Sequence, residues 1–194
     1  MPFADPPRCA AWRHRDARDG FEVVFVAPEG DGWRLAGDTA AVEAGEAWAV
    51  RYDIGVDAGW TTRSARVSTR GAAGQRELSL ETDGAGRWRV DGAPAGHLDG
   101  CLDVDLESST LTNAFPVHRL GLEIGGQAEV PAAYVRAVDL TVERLEQRYV
   151  RLEGDVAGRQ RYHYASPAFG FECELVYDAF GLILEYPGIA VRAA

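Results

Sequence analysis

Ala47-Trp48-Ala49-Val50-Arg51-Tyr52-Asp53-Ile54 alternates with a period of two: Trp48, Val50, Tyr52 and Ile54 fall on one side, Arg51 and Asp53 on the other. Successive side chains of an extended chain point to opposite faces, so this pattern predicts a strand with one face on a core and one in water. The same rhythm recurs. Leu78 and Leu80 alternate with Glu77, Ser79 and Glu81, and Trp88 and Val90 with Arg87 and Arg89. Leu102, Val104 and Leu106 oppose Cys101, Asp103 and Asp105, while Phe171, Cys173, Leu175 and Tyr177 oppose Glu172, Glu174 and Asp178. Phe21–Val26 is almost wholly apolar, which predicts a strand covered on both faces.

Gly71-Ala72-Ala73-Gly74, Asp83-Gly84-Ala85-Gly86 and Asp178-Ala179-Phe180-Gly181 separate such runs and read as hairpin turns. Helical signals are few. Asp139–Val150 fits a helix or a strand equally well. Thr112–Leu120 reads as a short helix, or as an irregular segment broken at Pro116. The fold class is therefore mainly β, with at most one or two short helices. A large antiparallel sheet hides its apolar face by stacking on another sheet, closing into a barrel, or curling round a helix.

No linker or low-complexity tract divides the 194 residues, which predicts one domain: a polar lead-in over residues 1–19 and the β region over 20–192. The net charge is −10, and all 20 basic residues are Arg. Arg in place of Lys reflects a G+C-rich genome rather than a function. The acidic balance argues against nucleic-acid partners and against docking to anionic membranes. No apolar run is long enough for a membrane-spanning helix. Met1–Asp19 lacks the apolar core of a secretory signal, and Cys9, Cys101 and Cys173 are odd in number and far apart. These features predict a reduced, cytoplasmic protein.

Residues able to do chemistry are sparse. There is no Gly-x-Ser-x-Gly elbow and no phosphate-cradling glycine loop. His14, His97, His118 and His163 have no ligand spacing, and His97 with Cys101, Asp103 and Asp105 makes only a weak metal candidate. No metal and no cofactor is expected. Asp103 and Asp105 would stand about 7 Å apart on one strand face. That spacing suits acid–base work on a glycosidic bond, or pairing with Arg119 or Arg136. Five Trp and seven Tyr offer rings for a sugar or an acyl chain, or simply fill the core.

Leu98-Asp99-Gly100-Cys101-Leu102-Asp103-Val104-Asp105-Leu106, followed by Thr112-Asn113-Ala114-Phe115-Pro116-Val117-His118-Arg119-Leu120, resembles the bacterial putative glycolipid-binding family. Trp60-Thr61-Thr62-Arg63, Gly86-Arg87-Trp88, Gln147-Arg148-Tyr149, Arg161-Tyr162-His163-Tyr164 and Asp178–Gly188 match its motifs in order. The resemblance implies a single long antiparallel sheet rolled in a spiral, as a curved half-barrel, around one short helix. It also implies likeness to periplasmic lipoprotein carriers, and a non-enzymatic binder or carrier of a glycolipid or other amphiphile. Trp60, Arg63, Asp103, Asp105, Asn113, His118 and Arg119 are the expected ligand-binding residues, with the acyl part inside the roll. The chain departs from the family at Ser108-Ser109-Thr110, which stands for Thr-Pro. Ala114, Phe115, Val117 and His118 stand for Thr, Leu, Ile and Arg. His118 in place of Arg would weaken a head-group contact or make it pH-dependent. Two alternatives remain: an enzyme on a glycoside or lipid ester using Asp103 and Asp105, and an interaction module, a homodimer through exposed sheet edges included.

Overall fold

The computed structural model describes residues 3–194. The strands in chain order are β1 (Cys9–His14), β2 (Asp19–Glu29), β3 (Gly32–Glu43), β4 (Glu46–Val56), β5 (Thr62–Gly71), β6 (Gly74–Thr82), β7 (Trp88–Val90) and β8 (Ala93–Pro94). β9 (Asp103–Leu106) precedes the helix α1 (Ala114–Leu120). There follow β10 (Gln127–Glu129), β11 (Ala132–Val135), β12 (Val142–Leu145), β13 (Arg148–Arg151), β14 (Gln160–Ser166), β15 (Phe171–Tyr177), β16 (Ile183–Tyr186) and β17 (Ala190–Arg192).

Among the described residues, 14 strands form one antiparallel sheet in the order β10-β13-β14-β15-β16-β17-β1-β2-β3-β4-β5-β6-β7-β8. The expected long sheet around one short helix is what the structure has. It adds a small second sheet, β12-β11-β9, in which β9 and β11 run parallel. One arm of the long sheet, β1 to β7, packs on β9, Leu111, Ala114 and Phe115. The other arm, β13 to β16, packs its tyrosines on Val117 of the same helix. The segment between the two sheet edges thus fills the concave side. Trp12, Tyr52, Phe115, Leu35 and Leu98 are among its fully buried side chains.

The lead-in over 1–19 is corrected, apart from residues 1–2, which lie outside the described residues. Residues 9–14 are a central strand, paired with β2 on one side and β17 on the other. Its charges are few and its inward residues small or aromatic. Trp12 is wholly buried and its indole N–H donates to the Ile183 carbonyl at 2.7 Å. Phe21–Val26 is also corrected. The strand alternates, leaving Phe21 and Phe25 exposed and turning Glu22, Val24 and Val26 inward. The alternation expected over Leu98–Leu106 is corrected: only Asp103–Leu106 is a strand, and all four of its residues, Asp103 and Asp105 included, are buried. Asp139–Val150 resolves into β12 and β13. Pro116 does not break α1, because it is the third helical residue, where a backbone N–H has no intrahelical acceptor. Gly121 closes the helix in the left-handed conformation, its N–H on the Val117 carbonyl.

The β2–β3, β3–β4 and β5–β6 hairpins each turn in two residues. Ala44 and Gly45, both at positive φ, join Glu43 to Glu46 with the dihedrals that match strand twist. Gly37 has a different duty. It pairs with Tyr52, and a Cβ built there would lie 2.2 Å from the tyrosine ring. The ring can cross β3 only over a glycine. Gly37→Ala is therefore expected to lose about 1–3 kcal/mol of stability by overpacking, measured by urea denaturation. An unchanged midpoint would show that the ring is free to move aside.

Candidate functional site

Tyr52 crosses Gly37 to reach Glu22, which the alternation of β2 turns into the core. The Tyr52 hydroxyl (2.7 Å) and the Ser109 hydroxyl (2.5 Å) donate to Glu22 Oε1, and the Thr110 backbone N–H donates to Oε2 at 2.7 Å. Burial raises the Glu22 pKa, and these donors act against that. The neighbouring Thr39 hydroxyl donates to the Ser108 carbonyl at 2.9 Å. The Ser108-Ser109-Thr110 segment is thus strapped to β2 and β3.

Asp103 and Asp105 share a face of β9 but have different partners. Arg119 donates to both oxygens of Asp103, Nε at 3.2 Å and Nη2 at 2.5 Å, tying the last turn of α1 to β9. Asp105 has no arginine. Its oxygens accept from the Thr112 hydroxyl at 2.8 Å and from Gln147 Nε2 at 2.5 Å, and burial pushes its pKa up to about 6. Arg136 instead pairs with Glu107 and Glu143. Asn113 Nδ2 donates to the Tyr149 hydroxyl at 2.8 Å, and its backbone carbonyl accepts from the Tyr177 hydroxyl at 3.0 Å.

The other expected ligand residues lie elsewhere. His118 stacks on Trp60 with centroids 3.7 Å apart and planes at 9°, and its Nε2 meets the Phe180 carbonyl at 3.0 Å. Burial lowers its pKa to about 4, so at neutral pH the ring is uncharged. Trp60 holds this stack at positive φ, a strained setting for a bulky residue. Arg63 is an exposed clasp between Asp57 Oδ2 (3.1 Å) and the Asp83 carbonyl (2.6 Å). Cys101 leans on Arg144. Burial pushes its thiol up to about 11 and that of Cys173 to about 12. Neither is then a nucleophile near neutrality. Among the described residues no group of three His, Cys, Asp or Glu could hold a metal ion.

Two openings include expected ligand residues in their lining. The first, of about 340 Å³, has Asp105, Asn113 and Tyr164 among its lining, with Tyr134, Phe169 and Tyr186. Arg18, Glu43, Glu107 and Arg136 also line it. Arg136 lies 5.2 Å above the Tyr134 ring and 5.4 Å above Phe169. The second opening, of about 840 Å³, is lined by Trp60, His118, Ile124 and Arg151 among others. The seven expected residues thus divide: Asp105 and Asn113 in the first opening, Trp60 and His118 in the second, and Asp103, Arg63 and Arg119 outside both linings.

Glu22, Arg18, Gln147 and the Tyr134–Tyr164–Phe169–Tyr186 group are not among the expected residues. Glu22 carries a signal, as the lone charge in an apolar run. Gln147 and Tyr164 lie in quoted motifs. Arg18 carries none, since its burial depends on Trp48 of β4, whose ring it covers at 5.2 Å.

Residues 9–192 match the family described as putative glycolipid-binding. A crystal structure of a DUF1089 family protein from Pseudomonas aeruginosa is similar at 32% identity, over 89% of this chain and 92% of that one, with a TM-score of 0.76. A beta-barrel-like protein of a domain of unknown function, DUF1849, from Brucella abortus is similar in fold at 11% identity. That match covers 98% and 95% of the two chains, with a TM-score of 0.51. No curated protein matches.

Because the folded pKa of Asp105 is raised above the ordinary carboxylate value near 4, the folded state holds the proton more tightly than the unfolded chain does. Its contribution to stability is therefore largest below about pH 4 and is lost as pH rises to about 6. Asp105→Asn should remove that loss. The stability of the variant relative to the native protein should rise by about 2 kcal/mol between about pH 4 and pH 7, read from urea denaturation at each pH. A difference independent of pH would contradict the raised pKa.

Proposed function

This chain belongs to the family described as putative glycolipid-binding, and on that premise we propose that it binds the head group of a glycolipid or similar amphiphile, without turnover, in the cleft beside Asp105. The observation that carries the reading is the pairing of aromatic walls with a buried carboxylate in one opening. A sugar ring offers apolar C–H faces that pack on aromatic rings and hydroxyls that donate to a carboxylate. Asp105 keeps acceptor capacity beyond its two internal donors, since a carboxylate has about four lone-pair sites. The cleft volume, about 340 Å³, suits one or two sugar rings.

The acyl chain is assigned to the cleft mouth rather than to the middle of the roll, where Trp12, Tyr52 and Phe115 already fill the space. Phe169 sits at that mouth, 47% exposed and 5.5 Å from the Tyr134 ring. The acid–base alternative asks for two free carboxylates on one opening, and Asp103 is engaged by Arg119 on both oxygens.

Titration calorimetry with dodecyl maltoside below its micellar concentration should give saturable binding. Phe169→Ala should weaken that binding about tenfold, equivalent to about 1.4 kcal/mol of lost contact, with Tm unchanged because the ring is half in water. Absence of saturable binding removes the function. Unaltered affinity in the variant removes this cleft as its place.

A further inference from the structure

Arg18 lies between β1 and β2 and is only 8% exposed. Its Nη2 donates to the Glu107 carbonyl at 2.8 Å. Nε and Nη1 are buried and donate no hydrogen bond among the described residues. The nearest carboxylate pairing is with Glu43, whose Oε2 is 3.7 Å from Nη1 on a side chain 43% exposed. That separation is too long for a hydrogen bond. A guanidinium buried with idle donors costs free energy until an acceptor arrives. The carboxylates that share the cleft do not have this deficit. Each oxygen of Asp105 already accepts from one internal donor, and Glu107 accepts from Arg136 Nη1 and from the Ala137 N–H. What the cleft lacks is an acceptor placed at Arg18, a fixed cation of the kind that binds phosphate oxygens.

We propose that Arg18 makes this cleft a site for a phosphate-type anionic group, so that the amphiphile bound there carries such a group on its head. This rests on the amphiphile reading of the same cleft. With Glu43, whose Oε2 lies 3.7 Å from Nη1, turned out into water, an incoming phosphate oxygen would accept from Nη1, while Nε faces the other edge of the guanidinium.

The test compares dodecyl phosphate, dodecyl maltoside and inorganic phosphate by calorimetry on the full chain. Dodecyl phosphate is expected to bind at least about tenfold more tightly than the neutral maltoside, as charge-assisted hydrogen bonding to Nη1 allows. Arg18→Met keeps an apolar stem over Trp48 and should abolish that preference. Glu43→Gln removes the competing carboxylate and should raise dodecyl phosphate affinity several-fold more than maltoside affinity, which keeps the test decisive if the Arg18 variant does not fold. If the maltoside binds as tightly as the phosphate and Glu43→Gln changes neither, the anion assignment is wrong and the amphiphile reading survives. Inorganic phosphate binding as tightly as dodecyl phosphate supports the Arg18 site and overturns the amphiphile reading. Binding of none of the three overturns both.

Discussion

The buried carboxylate of Glu22 is the contact on which the arrangement of the interior depends. Taking a carboxylate out of water is costly unless donors surround it, and here three converge from two parts of the chain: Tyr52 of β4, and Ser109 and Thr110 of the segment after β9. The approach of Tyr52 requires Gly37, and that of Ser109 is held by the Thr39 contact to the Ser108 carbonyl. α1 begins four residues beyond Thr110. Its preceding residue, Asn113, bonds Tyr149 of β13 and Tyr177 of β15, on the opposite arm of the sheet. The two arms are thus tied to one short segment by polar contacts at each end, with hydrophobic packing between. The amide of Asn113 is spent across the roll rather than on capping the helix it precedes.

The strands were legible because period-two alternation is a local property: β4, β6 and β15 can be read from their own residues. β1 was hidden because its evidence is not local. Cys9–His14 is short, follows prolines and contains Arg13, and its strand state comes from pairing with residues near the other end of the chain. Phe21–Val26 misled for the opposite reason. Composition placed apolar side chains on both faces, whereas burial of Glu22 by three donors leaves Phe21 and Phe25 in water.

The same distinction explains the site residues. Asp103 and Asp105 were readable as a pair on one face, but not which would meet Arg119, since α1 reaches back to only one of them. Arg63 looked like a head-group cation in its motif, yet Asp57 and the Asp83 turn hold it at the surface. Arg18 could not be found by pattern, because an arginine becomes an unfilled donor only where distant elements bury it without supplying acceptors. Deficits of that kind lie in the packing of the whole chain.

Those polar ties also decide where a ligand can go. For an acyl chain to enter the middle of the roll, α1 and the segment before it must move. That displacement strips the donors from Glu22, the partners from Asn113 and the guanidinium from Asp103 at once. Breaking a buried ion pair alone costs about 3–5 kcal/mol, and each buried donor left unpaired about 1–3 kcal/mol more. Contact with an alkyl chain returns about 0.8 kcal/mol per buried methylene, and part of that would only replace apolar contacts the core already makes. The balance favours a fixed interior, so that the proposed binding would lie at its ends. At the second opening the Trp60–His118 stack presents a neutral, preformed surface. At the first, the carboxylate of Asp105 and the idle donors of Arg18 sit beside the exposed ring of Phe169. A polar interior end next to an apolar lip is the polarity that the proposed amphiphile would require, and it would be met without disturbing Glu22.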